Sequence, residues 1–267
     1  MKIRDLRGEE VLLTGAGTGL GPHIARRLAG AGARLVLSGR NRTALESLAE
    51  DLPGARAVVA DLSRREEVER LAQEAGAAGV LVSNAGLPAS GRLDGFTLGE
   101  IDNAIRVNLQ AGIMLSRLLL PAMLERRSGQ LVFMASMAAH VPGPKTSLYN
   151  ATKFGLRGFA LALRMELHGS GVGVSLVSPT YVSQAGMWAE TGLKANPMAG
   201  EVSPAEVASA VLRAIKENRR EIQVAPAAAV AGARLGALFP GVMERVTRGS
   251  GAATHPDAAV ERQRHKR

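Results

Sequence analysis

The sequence predicts an α/β fold, a doubly wound and mostly parallel seven-stranded sheet with helices on both faces. Two observations predict it. Short apolar runs alternate with longer segments whose apolar residues recur every three or four positions, the pattern of strand–helix–strand units. Several short runs, such as residues 35–37 and 131–134, are apolar throughout, as expected for strands buried on both faces.

The elements follow one another in regular order. Strands are assigned from the apolar runs and helices from the three-to-four-residue spacing. The predicted strands are Val11–Thr14, Arg34–Ser38, Arg56–Ala60, Val80–Ser83, Gln130–Met134, Gly173–Val177 and Glu221–Val224. The predicted helices are Leu20–Ala31, Arg42–Asp51, Arg64–Ala75, Leu98–Arg126, Ser147–His168 and Pro204–Glu217. The last helix follows Ser203 with Pro204 at its first position, a common start signal.

No linker or repeat divides this pattern, so residues 1–226 are predicted to form one domain. Residues 227–267 are predicted to form an extension of two short helices separated at Pro240-Gly241, with about the last dozen residues disordered. Three roles remain open for this extension, in order of preference. They are a cover for a substrate cleft, an oligomer contact, and a basic amphipathic segment on an anionic membrane surface.

The composition excludes several classes of site. The chain has 267 residues and no cysteine, which excludes disulfides, thiolate nucleophiles and zinc–cysteine sites. The five histidines show no ligand spacing, so we expect no metal. The charged first ten residues lack the apolar core of a signal peptide, and the uncharged run 169–189 contains Pro179 and strand-like alternation. We therefore expect a cytoplasmic protein.

The net charge of +9 raises nucleic acid, an anionic membrane or an anionic cofactor as partners. Aromatic residues make up only 3% of the chain, which leaves little for stacking on bases. Apart from the last six residues, the basic side chains are scattered along the sequence. The charge therefore indicates a solvated arginine-rich surface, and we expect no specific nucleic-acid partner.

The first predicted strand runs into a glycine-rich turn with the pattern T-G-x-x-x-G-x-G, followed by a helix. Glycines let the backbone turn sharply and approach a pyrophosphate, whose charge favours a helix N-terminus. The position at the first strand–helix turn is the favoured dinucleotide site of such sheets. The candidate cofactor-binding residues in this turn are Gly15, Gly17, Thr18, Gly19, Leu20 and Gly21.

The second predicted strand ends at Ser38, followed by Gly39, Arg40 and Asn41, and we expect Ser38, Arg40 and Asn41 to contact the cofactor. An NAD site usually places a carboxylate here for the ribose 2′-hydroxyl, but no Asp or Glu lies between Gly21 and Glu46. The guanidinium of Arg40 suits a 2′-phosphate instead. The sequence therefore favours NADP(H), with NAD(H) as the alternative.

Tyr149 and Lys153 are four residues apart in a predicted helix and so share one face. A phenol titrates near ~10, and a nearby cation favours the phenolate, so the pair can act as a general acid/base. Such a pair alone is common by chance. Its occurrence together with three other features is very unlikely by chance. These are Asn84-Ala85-Gly86 after the fourth strand, Asn108 in the long helix and Ser136 after the fifth strand.

In order and spacing these motifs resemble the single-domain branch of the short-chain dehydrogenase/reductase family, from about Glu10 to Val224. The resemblance implies a Rossmann-type domain, an NAD(P)(H) cofactor, and a homodimer or homotetramer formed through the two long helices. It also implies contacts of Asp61 and Leu62 with adenine, and of residues 84–86 with the cofactor.

The resemblance further implies an Asn–Ser–Tyr–Lys catalytic tetrad. Tyr149 would exchange a proton with a carbonyl or alcohol oxygen that Ser136 hydrogen-bonds. Lys153 would lower the Tyr149 pKa and hold the nicotinamide ribose, and Asn108 would anchor a water linking Lys153 to solvent. These are the expected catalytic residues.

The segment after the sixth strand departs from the family pattern P-G-x-V-x-T, since the chain reads Pro179-Thr180-Tyr181-Val182-Ser183-Gln184. Pro179 and Val182 are retained as expected cofactor contacts, whereas the glycine and threonine are lost. This change puts the nicotinamide end of the site in question.

Residues 183–202 occupy the position of the family's substrate lid. Met187, Trp188, Leu193 and Met198 offer apolar side chains there, and His140 follows Ser136 on the facing loop. The expected substrate-contacting residues are Ser136, His140, Tyr149, Met187 and Trp188.

The sequence therefore predicts an NADP(H)-dependent oxidoreductase that acts on a carbonyl or secondary alcohol of an apolar small molecule, of a steroid, terpenoid or acyl type. The alternative is an NADP(H)-binding sensor or scaffold without turnover, to which the altered 179–184 segment points. Nucleic-acid binding through the positive charge is a third hypothesis. Contact with a membrane surface is the least favoured role of the extension.

Overall fold

A computed structural model describes residues 5–195, 199–242, 244–245 and 257–266. Nine strands are labelled β1 to β9 within these residues. They are β1 Glu10–Thr14, β2 Arg34–Gly39, β3 Arg56–Val59, β4 Val80–Ser83, β5 Gly129–Met134, β6 Val172–Pro179, β7 Tyr181–Val182, β8 Glu201–Val202 and β9 Glu221–Val224. Seven of them form one sheet in the order β3-β2-β1-β4-β5-β6-β9, and every pairing in it is parallel.

The α-helices of the main domain are α1 Gly21–Ala29, α2 Arg42–Glu50, α3 Arg65–Ala75, α4 Leu98–Ile105, α5 Ala111–Glu125, α6 Ser147–Glu166, α7 Gly186–Ala189 and α8 Pro204–Glu217. The sheet separates two apolar clusters of buried side chains, one containing Leu13, Ile24 and Val211 and the other containing Leu12, Leu115 and Leu176. Because alternate residues of each strand face opposite sides, both layers of helices bury apolar surface against the same sheet. The predicted doubly wound Rossmann-type fold is confirmed.

The long helix predicted over Leu98–Arg126 is interrupted. A π-helical turn, Arg106–Gln110, separates α4 from α5. Asn108 lies within this turn and is buried, and its side chain bonds the backbone of Leu87 twice, through Oδ1 to N–H at 2.6 Å and through Nδ2 to C=O at 3.0 Å. A π-helical turn is a frequent feature of functional sites. Here it contains Asn108, whose side chain is bonded to the segment that follows β4.

Among the described residues, the run Leu98–Glu125 is long and apolar enough to cross a membrane, with a mean hydropathy of 1.4. In this fold the run buries Ala111, Leu115, Leu119 and Met123 in the apolar cluster that also contains Leu12 and Leu176. The run is therefore a core-packing helix of the domain.

The extension begins with α9, Ala227–Leu238, which ends just before Pro240 as the Pro-Gly break predicts. The prediction of a disordered end is wrong for residues 257–266. These form α10, Asp257–Gln263, and a short 3-10 turn, Arg264–Lys266, with Ala259 fully buried. Met198 of the lid lies outside the described residues.

Candidate active site

A cleft of about 470 Å³ opens where the strand order reverses between β1 and β4. Such a crevice at the carboxyl ends of the strands is the usual ligand site of open α/β sheets. Most of the predicted cofactor residues line it. They are Gly15, Gly17, Thr18, Gly19, Leu20, Arg40, Asn41, Asp61, Leu62, Asn84, Ala85, Gly86, Tyr149, Lys153, Pro179 and Val182.

The glycine turn is shaped by close backbone approach. Gly15 has φ +63°, and a Cβ there would lie 2.8 Å from Cα of Ala85. Gly21, which we predicted to contact the cofactor, lies behind the cleft, where a Cβ would come within 2.2 Å of the Gly15 carbonyl oxygen. Gly21 therefore lets α1 start directly against the turn, so that the helix N-terminus faces the cleft.

Ser38 is the second predicted cofactor residue that the lining does not include. Its side chain is fully buried in β2, and its carbonyl accepts a hydrogen bond from the Ala16 N–H at 2.9 Å. The Ser38 backbone therefore ties the glycine turn to the end of β2, while its side chain is enclosed in the fold and does not line the cleft.

Arg40 is exposed at the end of the cleft nearest β2. Its guanidinium makes no hydrogen bond or ion pair with any residue that the structure describes. Asn41 beside it caps α2, since its Oδ1 accepts from the Ala44 N–H at 3.1 Å. The carboxylate of Glu46, one turn into α2, pairs with Arg42 at 3.3 Å. This end of the cleft thus presents an uncompensated cation.

Asn84 joins the turn to the floor of the cleft. Its Nδ2 donates to the carbonyls of Thr14 and Gly15, both at 3.1 Å. In return, the Thr14 hydroxyl oxygen accepts from the N–H groups of Asn84 at 3.0 Å and Ala85 at 3.1 Å. These bonds satisfy the backbone groups at the ends of β1 and β4 and fix the two loops relative to each other.

The four predicted catalytic residues come from three separate elements. Ser136 follows β5, Tyr149 and Lys153 lie one helical turn apart in α6, and Asn108 lies in the π-helical turn. Ser136, Tyr149 and Lys153 line the cleft together, and the Ser136 side chain is close enough to the Tyr149 phenol to act on its pKa. The Lys153 ammonium lies 5.6 Å from the Tyr149 ring centroid and donates to the Met134 carbonyl at 3.0 Å.

Burial sets the acid–base properties of the pair. Burial raises the pKa of Tyr149, and the Ser136 hydrogen bond lowers it only in part. Burial also lowers the pKa of Lys153 from 10.5 to about 8. The resemblance implied a Tyr149 pKa lowered by Lys153, whereas in the protein alone the net shift is upward. The phenol is therefore protonated and Lys153 is mostly charged at neutral pH, the state suited to donating a proton.

The altered segment after β6 retains its place beside the cleft, because Pro179, Thr180 and Val182 all line it. The Thr180 N–H donates to the Val224 carbonyl at 3.0 Å, and its hydroxyl donates to the Ala199 carbonyl at 3.1 Å. Gln184 adopts φ +63° and is not among the residues that line the cleft. Thr180 thus ties the strand end to the far side of the lid, a contact that glycine could not make.

The lid is anchored by a two-residue parallel pairing of β7 with β8. Met187 and Trp188, two of the expected substrate-contacting residues, line the cleft, and the Trp188 ring centroid lies 4.3 Å from that of Tyr181. His140 does not line it. Its ring is turned away, with Nε2 at 3.1 Å from the Ser178 hydroxyl and Nδ1 at 3.1 Å from Gln223. These polar partners on β6 and β9 hold the imidazole on the outer side of the sheet end.

Sequence reasoning missed the contribution of α10. Arg262 donates to the Thr191 carbonyl, Gln263 donates to the Met187 carbonyl, and the Lys266 ammonium pairs with Glu190 at 2.5 Å. Glu190 and Lys266 also line the cleft. The chain end is therefore fastened across the lid. Of the apolar side chains of α10, only Ala259 is fully buried, so the sequence carries little periodic signal there.

Comparison with known proteins agrees with this geometry. A sequence profile described as short chain dehydrogenase matches residues 9–196. The curated ketoacyl reductase HetN of Nostoc sp. is 40% identical over 227 residues, which cover 82% of this chain and 79% of that protein.

Two solved structures show the same fold. An actinorhodin polyketide ketoreductase with NADPH has a TM-score of 0.74 at 27% identity and covers 81% of this chain and 95% of its own. A 3-ketoacyl-(acyl-carrier-protein) reductase from Brucella melitensis, complexed with NADH, has a TM-score of 0.75 at 26% identity. The match covers 84% of this chain and 100% of that one. With the cleft described above, these matches establish that the chain belongs to the short-chain dehydrogenase family and is an NAD(P)-binding oxidoreductase acting on CH–OH or C=O groups.

Proposed function

We propose that this protein is an NADP(H)-dependent reductase of an apolar ketone, with Tyr149 as its general acid. The observation that carries the proposal is one cleft that joins the Ser136–Tyr149–Lys153 group at one end to the unpaired Arg40 at the other. Its residues fit a dinucleotide: the glycine turn and the start of α1 would hold the pyrophosphate, and Lys153 the nicotinamide ribose.

The roles of the chain's own residues follow from their protonation. The nicotinamide, when bound, supplies a hydride to the carbonyl carbon. The Ser136 hydroxyl donates a hydrogen bond to the substrate oxygen, and Tyr149 transfers its phenolic proton to that oxygen. The phenolate left behind is stabilised by the nearby Lys153 ammonium. Asn108 holds the Leu87 backbone through both side-chain atoms, so its role here is to fix the wall of the cleft.

Replacing Tyr149 with Phe tests the reaction. We expect Tyr149→Phe to fold, bind NADPH and lose turnover with every substrate that the wild type reduces. Oxidation of NADPH, followed by its absorbance across a panel of ketones and alcohols, provides the measurement. Undiminished turnover in the variant would refute the mechanism. A wild type that binds NADPH but turns over no panel member would favour the sensor or scaffold alternative.

Preference for NADP(H) rests on Arg40. Its guanidinium has no partner among the described residues, and a 2′-phosphate would supply one through charge-assisted hydrogen bonds. We expect Arg40→Ala to weaken NADPH binding about tenfold or more and to leave NADH binding unchanged, as measured by calorimetric titration. Arg42→Ala is the matched control, because Arg42 is already paired with Glu46. Equal losses for both cofactors would remove the argument for the phosphate.

An acyl-type ketone is the substrate class that we favour among the three apolar classes. Met187 and Trp188 give the lid side of the cleft an apolar surface. The relatives described above are named as ketoacyl reductases or as a polyketide ketoreductase. A panel of 3-ketoacyl thioesters, steroid ketones and terpenoid ketones tests this choice, and preferential reduction of a steroid or terpenoid ketone would overturn it.

We also propose that the protein forms a homodimer or homotetramer through its long helices. Ile105, Leu118, Leu124 and Phe154, on α4, α5 and α6, are each about 40% exposed. Exposed apolar side chains on neighbouring helices mark contact surfaces. Analytical ultracentrifugation of wild type and Leu118→Glu tests the proposal, and a monomeric wild type would refute it.

A further inference from the structure

A second cavity, of about 750 Å³, lies beside the edge strand β9 and shares no residue with the cofactor cleft. We call it the arginine cavity, because Arg157, Arg213, Arg219, Arg220 and Arg234 line it. Among the described residues of its lining, Glu221 is the only carboxylate. The five guanidinium groups come from α6, α8, the turn before β9, and α9, so the fold itself brings them together.

Existing ion pairs neutralise only part of this charge. Arg157 forms two bonds with Glu221, at 2.6 and 3.3 Å, and Arg219 pairs with Glu217 at 2.6 Å. Arg220 lies 3.9 Å from Glu221, which Arg157 already occupies. Arg213 and Arg234 have no hydrogen-bond or ion-pair partner among the residues that the structure describes, and both are exposed. Two cations facing one cavity across α8 and α9 are thus uncompensated, and a third is weakly paired.

We infer that the arginine cavity binds a phosphate group of a multiply charged anion. Guanidinium groups present planar pairs of N–H donors that match phosphate oxygens, and several converging arginines favour a group with more than one negative charge. A second copy of this chain docked here through a two-fold axis would set arginines against arginines. Like charges would oppose such a contact, so the complementary occupant is an anion.

The opposite wall shows what the phosphate is attached to. Beside Arg234, the α9 side of the cavity is apolar, because Val230, Ala233 and Ala237 line it; Leu238 and Phe239 just beyond are 70% and 59% exposed. The ligand is therefore a phosphate joined to an apolar group. A soluble phosphorylated acyl compound and a phospholipid headgroup share this chemistry, and the experiment separates these two sources.

The test compares full-length wild type with Arg213→Gln/Arg234→Gln. The matched control is Arg65→Gln, which removes an exposed arginine near β3, at the other edge of the sheet. Inorganic pyrophosphate is titrated by calorimetry with and without saturating NADPH, which keeps the probe out of the cofactor cleft. Cosedimentation with phosphatidylglycerol and phosphatidylcholine vesicles provides the second arm.

We expect pyrophosphate binding that persists with NADPH, weakens about tenfold or more in the double variant and is unchanged in Arg65→Gln. Binding only to phosphatidylglycerol vesicles, with the same dependence on Arg213 and Arg234, would support the inference and identify a lipid headgroup as the source. Equal binding by all three proteins, equal loss in both variants, or no binding in either arm would overturn it. NADPH serves here only to block the cofactor cleft, and no turnover is measured. The result for the arginine cavity is therefore independent of whether the protein reduces a ketone.

Discussion

Replacing Lys153 with Met separates the catalytic role that we propose for this ammonium from the free energy that its burial costs the fold. Lys153 is 4% exposed, and burial lowers its pKa from 10.5 to about 8. A shift of this size means that burying the charged form costs folding about 3 kcal/mol at neutral pH. Lys153→Met removes that cost. It also leaves the Met134 carbonyl without its donor, at about 1–3 kcal/mol, so the two effects nearly cancel at neutral pH.

The pH dependence isolates the electrostatic part. Below about pH 8, Lys153 is charged in both the folded and the unfolded protein, and the full cost is present. Between about pH 8 and 10.5, the folded protein releases this proton first, so the unfolded chain binds more protons and stability rises with pH. Above 10.5 both forms are neutral and the cost is gone.

The stability of the wild type relative to Lys153→Met should therefore increase by about 2 kcal/mol between about pH 7 and pH 9.5. Urea unfolding of both proteins at several pH values measures it, and the variant corrects for every other titrating group. Turnover should be lost in the variant throughout. A difference in unfolding free energy that stays constant within about 0.5 kcal/mol would refute the assigned burial of a charged Lys153.

Three further substitutions test the turn, the lid and the chain end. Gly21→Ala should lower the unfolding free energy by more than about 2 kcal/mol, because its Cβ would meet backbone at 2.2 Å, whereas Gly17→Ala, with contacts of 3.4 Å, should not. Comparable urea midpoints for these two variants would contradict this. Gln184→Gly should raise the unfolding free energy by about 0.5–1 kcal/mol, since Gln184 has φ +63° and does not line the cleft; unchanged or lower thermal stability would argue against strain there. Deleting residues 257–267 removes the bonds to Met187, Glu190 and Thr191, so KM for the ketone should rise severalfold with a smaller change in kcat, and an unaltered KM would show that the lid holds without α10.

The sheet was predictable because its strands are buried on both faces. Runs such as residues 131–134 and 80–83 have no polar alternation, and the observed strands match the predicted ones to within about two residues at each end. The shape of the glycine turn and the shared helix face of Tyr149 and Lys153 were predictable, because close backbone approach needs glycine and a shared face needs a four-residue spacing. Local constraints of this kind are visible in a single sequence.

Other features depend on contacts between distant segments. The π-helical turn at Asn108 leaves the apolar spacing of the helix almost unchanged, so the pattern predicted one continuous helix. The orientation of His140 depends on Ser178 and Gln223, which lie on other strands. The docking of α10 rests on hydrogen bonds from polar side chains to lid carbonyls, and polarity in the sequence indicated disorder instead.

The placement of Trp188 makes the lid directly observable by spectroscopy. It is the single tryptophan of the chain, it is 8% exposed, and it lines the cofactor cleft. Intrinsic fluorescence of the unmodified protein therefore reports on one site, free of signals from elsewhere in the fold. Indole emission overlaps the absorption of a reduced nicotinamide, so cofactor binding, lid opening and loss of the α10 contacts would each change the emission of the same reporter. The binding and release steps of the catalytic cycle can thus be timed without a label.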